Sequence, residues 1–193
     1  NNSLANITAL PSSITGGAMT LLATQTASGS ANLSFTSGID STYDSYVFKF
    51  YNIHPATNGT FFQFNMSTDS GSNYNVAKTT TAFYAYHTES GSASALTYDA
   101  GQDLAQGTGF QNLLYAISSD NDSAGSGELS IYSPSSDTFV KHFLATSNTA
   151  ATTPYTINFR YAGYGNTTSA VNAIRFQMSS GNFDGVIKLY GVS

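Results

Sequence analysis

The sequence predicts an all-β fold: an antiparallel two-sheet β-sandwich of jelly-roll type, with about ten strands behind an extended N-terminal arm. Three observations predict it. Apolar residues recur with a period of two along most of the chain, so alternate side chains share a face. Clusters of Gly, Pro, Asn, Asp and Ser separate these runs, as in IHPATNG, TDSGSNYN, SSDNDSAGSG, SPSSD and SSGNFDG. The apolar content is heavily aromatic, with 13 Phe, 13 Tyr and no Cys, so burial of rings must hold the fold without disulfides.

Residues 1–19, NNSLANITALPSSITGGAM, carry Leu4, Ile7, Leu10 and Ile14 at three- and four-residue spacing. Pro11 and the pair Gly16 and Gly17 break that helical period, and Thr, Asn and Ser add little helix propensity. An extended arm, with its apolar residues as anchors against a partner surface, or a simple linker is expected here. Residues 20–193 are then the sandwich domain. Within it Leu33 and Phe35 alternate with polar neighbours. Tyr46, Phe48 and Phe50 face one way while Val47, Lys49 and Tyr51 face the other; Phe62, Phe64 and Met66 repeat the pattern. Further strands are expected over residues 81–87, 113–117, 129–132, 139–145, 155–161, 174–178 and 186–192. Residues 99–107, DAGQDLAQG, are expected to add one helical turn. In the last run Ile187 and Leu189 share one face, and Val186, Lys188 and Tyr190 share the other. One of these faces should enter the core, leaving Tyr190 either to lie along the sandwich surface or to cover a neighbouring subunit. No internal repeat argues for a solenoid or propeller.

Charge narrows the partners. Only 9% of residues are charged, with a net charge of -5, while Ser, Thr and Asn make up about a third of the chain. Such a surface is solvated by hydroxyls and amides. The six Lys and Arg are scattered from Lys49 to Lys188 and form no phosphate-neutralising cluster, so nucleic acid is not expected as a partner. No stretch approaches the roughly 20 apolar residues of a membrane-spanning helix, and a soluble chain without membrane insertion is expected. Opening on Asn1, the chain is expected to be a processed or excised piece.

The residues of reaction chemistry are sparse. There is no G-x-S-x-G turn and no H-E-x-x-H pair, and His54, His87 and His142 lie far apart. Residues 118–130 order Asp120, Asp122, Gly125 and Glu128, but Ala124 occupies a calcium-ligand position and the glutamate comes three residues early. Neither a dinucleotide fingerprint nor a phosphate-loop lysine occurs. No catalytic residue, metal ligand or cofactor is therefore expected. Glu89 and Glu128 are the only glutamates available to a glycan-cleaving pair. The runs AFYAYH and RYAGYGNTT place Tyr84 with Tyr86 and Tyr161 with Tyr164 beside polar neighbours, a composition suited to stacking on sugars or to packing against protein partners, with packing within the sheet the competing role for Tyr84 and Tyr86.

The segments LLATQTASGSANLSFTSGIDSTYDSYVFKFYNIHPAT, DSGSNYNVAKTTT and GVIKLYGV resemble proteins on tailed bacteriophages, especially those infecting marine bacteria. NNSLANITALPSSI is similar to the stretch that precedes such domains in phage fibre proteins. The resemblance implies a virion surface protein, a fibre domain or a capsid decoration protein, β-rich and commonly homotrimeric. It implies other virion proteins of the capsid or tail as partners and carries no catalytic residue to transfer. The expected function is thus a non-enzymatic structural module. Its alternative is a carbohydrate-recognition module for host attachment, and a glycan-cleaving enzyme comes third.

Overall fold

The structure, a computed structural model, describes residues 19–193. The arm expected over residues 1–19, with Leu4, Ile7, Leu10 and Ile14, falls outside them except for Met19. Twelve strands follow: β1 (Thr20–Ser30), β2 (Asn32–Phe35), β3 (Ser45–Pro55), β4 (Thr60–Ser67), β5 (Lys78–Thr88), β6 (Ser94–Tyr98), β7 (Gln111–Ile117), β8 (Gly125–Tyr132), β9 (Lys141–Ala150), β10 (Tyr155–Gly165), β11 (Ala173–Met178) and β12 (Phe183–Val192). They form an eight-stranded sheet in the order β1-β12-β3-β8-β9-β10-β5-β6 and a four-stranded sheet in the order β2-β11-β4-β7. Every strand pairing is antiparallel. The chain crosses repeatedly between the sheets, β2, β4, β7 and β11 being its four visits to the smaller one.

The aromatic residues that alternate in sequence meet between the sheets. Phe48 and Phe50 of β3 point inward at Phe176 and Phe62 of the small sheet, with ring centroids 5.2 and 5.4 Å apart. Phe64 meets Phe143 edge-on at 5.1 Å, and Phe62 meets Phe183 at 5.5 Å. These are the separations at which tilted rings attract beyond simple area burial. All of these phenylalanines are buried.

The closing strand is not a loose end, since β12 pairs with β1 on one side and β3 on the other. Ile187 and Leu189 are its buried face, while Val186, Lys188 and Tyr190 are half-exposed on the opposite one. A bulge between Asp184 and Val186 sets this parity. It turns on Gly185, whose φ of 141° is unfavourable for a residue with a side chain, and a Cβ there would lie 2.7 Å from Ile53 Cδ1.

Among the described residues, three local expectations are corrected. Strands number twelve rather than about ten because β1 and β6 join the sheet edges. β6 is exposed at every residue, so burial imposes no alternation on it. Residues 99–107 form no helix: after one hydrogen-bonded turn, with Gln102 N donating to Asp99 O at 3.1 Å, their backbone is committed sideways to β5, with Thr80 N donating to Leu104 O at 2.9 Å and Lys78 N to Gly107 O at 2.8 Å. The run expected over residues 139–145 begins instead at Lys141 and continues to Ala150. Phe139 is 71% exposed and belongs to the preceding turn, where its amide donates to Ser136 Oγ at 3.0 Å.

Candidate functional site

The large sheet has twice the strands of the small one, and β7, the small sheet's edge, packs on β9 and β10. The inner face of β5 therefore runs past that edge. Tyr84, Tyr86 and Thr88 alternate along this inner face, in register with Phe159, Ile157 and Tyr155 of β10. Tyr115 of β7 closes the facing side, and the turn residues Ala93 and Thr153 form the rim. The result is a cleft of about 360 Å³ walled by four half-buried tyrosines over a floor of Ile157.

Ring contacts fix the walls. Tyr84 packs on Phe159 at 5.0 Å and beside Tyr86 at 6.1 Å; Tyr86 meets Tyr155 at 5.6 Å, and Tyr115 stacks on Phe159 at 5.4 Å. Phe159 is buried and anchors both walls. Burial raises the Tyr155 phenol above its ordinary pKa, and the neighbouring phenols of Tyr115, Tyr84 and Tyr86 add to the shift. Tyr84, Tyr86, Tyr115 and Tyr155 thus line one common space.

Of the tyrosines singled out from sequence, Tyr84 and Tyr86 share this cleft. Tyr161 and Tyr164 do not join them. Tyr161 is buried beneath it, stacked on Phe159 at 5.1 Å, with its hydroxyl lacking a protein partner. Tyr164 lies on the opposite face of β10 against the His142 ring, 6.0 Å away. Tyr115 and Tyr155 escaped sequence reading. The parity that groups Tyr155 with Ile157 and Phe159 is visible in the sequence, but the register that sets it opposite Thr88, diagonal to Tyr86, is not.

A second feature is the outer face of the large sheet. Leu21, Tyr190, Val47, Ser130, Leu144, Ala162 and Thr81 stand in one register row crossing seven strands. The adjoining row is Lys188, Lys49, Glu128, Thr146, Arg160, Phe83 and Tyr98. Lys49 and Glu128 pair loosely at 3.9 Å, and Lys188 lies 5.7 Å from the centre of the Tyr51 ring. Leu144 is 51% exposed and Phe83 42% exposed. This face thus carries apolar groups beside a few cations.

The carboxylates and histidines are dispersed. Among the described residues no group of three or more His, Asp or Glu side chains is placed to hold a metal ion. His54 Nδ1 bonds Ser123 O at 2.7 Å, Glu128 faces Lys49, and Glu89 is exposed in a turn. No family model, curated protein or solved structure matches the chain.

Proposed function

We propose that this chain is a non-enzymatic structural module of a tailed-phage particle, displayed on the virion surface as a fibre domain or capsid decoration protein. It assembles as a homotrimer through the outer face of the large sheet, with residues 1–19 tethering it to other virion proteins. The jelly-roll description belongs to this reading and draws on the way the chain alternates between sheets. The observation that carries it is the register row from Leu21 through Tyr190 and Leu144 to Ala162, which presents apolar surface to solvent where an isolated antiparallel sheet would ordinarily turn polar residues outward. A second copy of the chain is the occupant that suits it. The row is neutral, and the flanking cations Lys188, Lys49 and Arg160 have Glu128 among them, so neither a polyanion nor a strongly basic partner is selected.

The neutral polar surface fits the same role. With 9% charged residues, solubility depends on hydroxyls and amides, which salt does not screen. Deleting residues 1–19 tests the tether: the expected product folds, as judged by β-rich circular dichroism, but fails to join particles. Incorporation at the normal level would overturn the tethering role.

A further inference from the structure

We propose that the cleft between β5, β7 and β10 is a binding site for an uncharged saccharide, with a pyranose ring packed against Tyr84 and Tyr86 and its hydroxyls meeting the phenols of Tyr115 and Tyr155. This site is on the inner side of the large sheet's overhang, so it is separate from the outer face assigned to assembly, and either assignment can fail without the other.

The chemistry of the lining selects the ligand. Tyrosines, threonines, Ala93 and Ile157 provide no formal charge, so a sialic acid, uronic acid or sulfated sugar would leave its anion without a counter-charge. An apolar occupant fits equally badly. Among the described residues, the hydroxyls of Tyr46 and Tyr98 are bonded to Asp40 and Asp103. The hydroxyls of Tyr84, Tyr86, Tyr115 and Tyr155 have no such partner among the described residues. Enclosing a plain hydrocarbon or arene would strip water from all four and return no hydrogen bond. A pyranose has C–H faces for the rings and hydroxyls at its rim for the phenols, and these two needs occur in the cleft side by side.

Shape points the same way. The Tyr84 and Tyr86 rings are inclined by 42°, and Tyr86 and Tyr155 by 57°, forming a concave wall rather than a self-stacked pile. The wall is set from behind by Phe159, which is in contact with both Tyr84 and Tyr115. The receptor is thus held in place before any ligand arrives, which lowers the entropy cost of binding.

The chain has 13 Tyr and no Trp, so tyrosine ring resonances and tyrosine fluorescence report on the cleft without an indole background. The probes are the methyl glycosides of glucose, galactose, mannose and N-acetylglucosamine, titrated against the full chain, with methyl glucuronoside and indole as comparators. Saturable shifts are expected at the rings of Tyr84, Tyr86, Tyr115 and Tyr155 for at least one neutral glycoside. Tyr155→Phe keeps the ring and removes one hydroxyl, so affinity should fall about 2- to 10-fold. Tyr86→Ala should abolish the shifts, while Tyr164→Phe, on the far face, should leave them unchanged. Circular dichroism of each variant separates loss of binding from loss of fold, and Tyr86→Phe replaces Tyr86→Ala if the latter unfolds. Silence with all four neutral glycosides would overturn the proposal. Tighter binding of glucuronoside or indole, or unaltered affinity in Tyr155→Phe, would do the same.

Discussion

Two buried lysines show how single residues are accommodated in a core with few charges. Lys78 and Lys141 flank Gly165 in register, and both are fully buried. Their surroundings differ by one acceptor. Lys78 Nζ donates to Asn65 Oδ1 at 2.5 Å and Val76 O at 2.8 Å, which uses the two N–H bonds of a neutral amine. Lys141 Nζ has three carbonyls, those of Ser136, Phe139 and Thr167 at 2.6, 2.7 and 3.3 Å, matching the three donors of an ammonium. Burial pulls the Lys78 pKa from 10.5 down to about 7; it lowers the Lys141 pKa too, with the Asp137 carboxylate opposing the shift. Because the folded value is the lower one, the unfolded chain binds more protons across this window. Stability should therefore increase from pH 7 toward pH 9, with a slope of at most about 1.4 kcal/mol per pH unit. Urea midpoints measured across that range check this, and Lys78→Met should flatten the rise at a cost of about 1–2 kcal/mol. Lys141→Met leaves three carbonyls without their cation and should cost more, about 3 kcal/mol. Equal losses in the two variants would contradict the difference between the two-acceptor and three-acceptor sites.

At the scale of elements, stability concentrates where aromatic residues of the two sheets interdigitate. Phe176 of β11 touches Phe35, Phe48 and Phe62, with centroids 6.1, 5.2 and 5.7 Å away. Phe176→Ala removes the shared partner of both sheets and should cost about 3–5 kcal/mol, read from a chemical-denaturation curve. Leu96→Ser in β6 should cost less than about 0.5 kcal/mol, since Leu96 is 74% exposed at a sheet edge. That contrast also explains what the sequence could reveal. Strands with one buried face, such as β3, β4 and β11, imprint a period of two on their residues, so their alternation predicted them. β6 buries nothing and left no such mark. In β9 the buried face continues through polar Ser147 and Thr149, with Ser147 Oγ donating to Leu113 O at 2.5 Å, so hydropathy alone ended the strand early. The cleft was legible only in half. Tyr84 and Tyr86 share a face by parity, whereas Tyr115 joins them through β7, where Ala116 takes a φ of 42° and the pairing with β4 is irregular. Such registers are settled by tertiary packing.

For the whole molecule, the two faces of the large sheet differ in what they present. Its inner face holds the aromatic core and, past the edge of the small sheet, the tyrosine cleft; its outer face offers the row that contains Tyr190 and Leu144. In the proposed assembly, Glu128, Lys49 and Arg160 beside that row would limit indiscriminate sticking. Assembly through this face is the claim on which the proposed role depends, and the solution mass of the full chain tests it most directly. Light scattering across a concentration series should give the mass of a homotrimer, and Leu144→Glu, which sets a charge in the middle of the row, should reduce it to a monomer with unchanged circular dichroism. A wild-type chain that stays monomeric at every concentration, or a trimer indifferent to Leu144→Glu, would contradict the account.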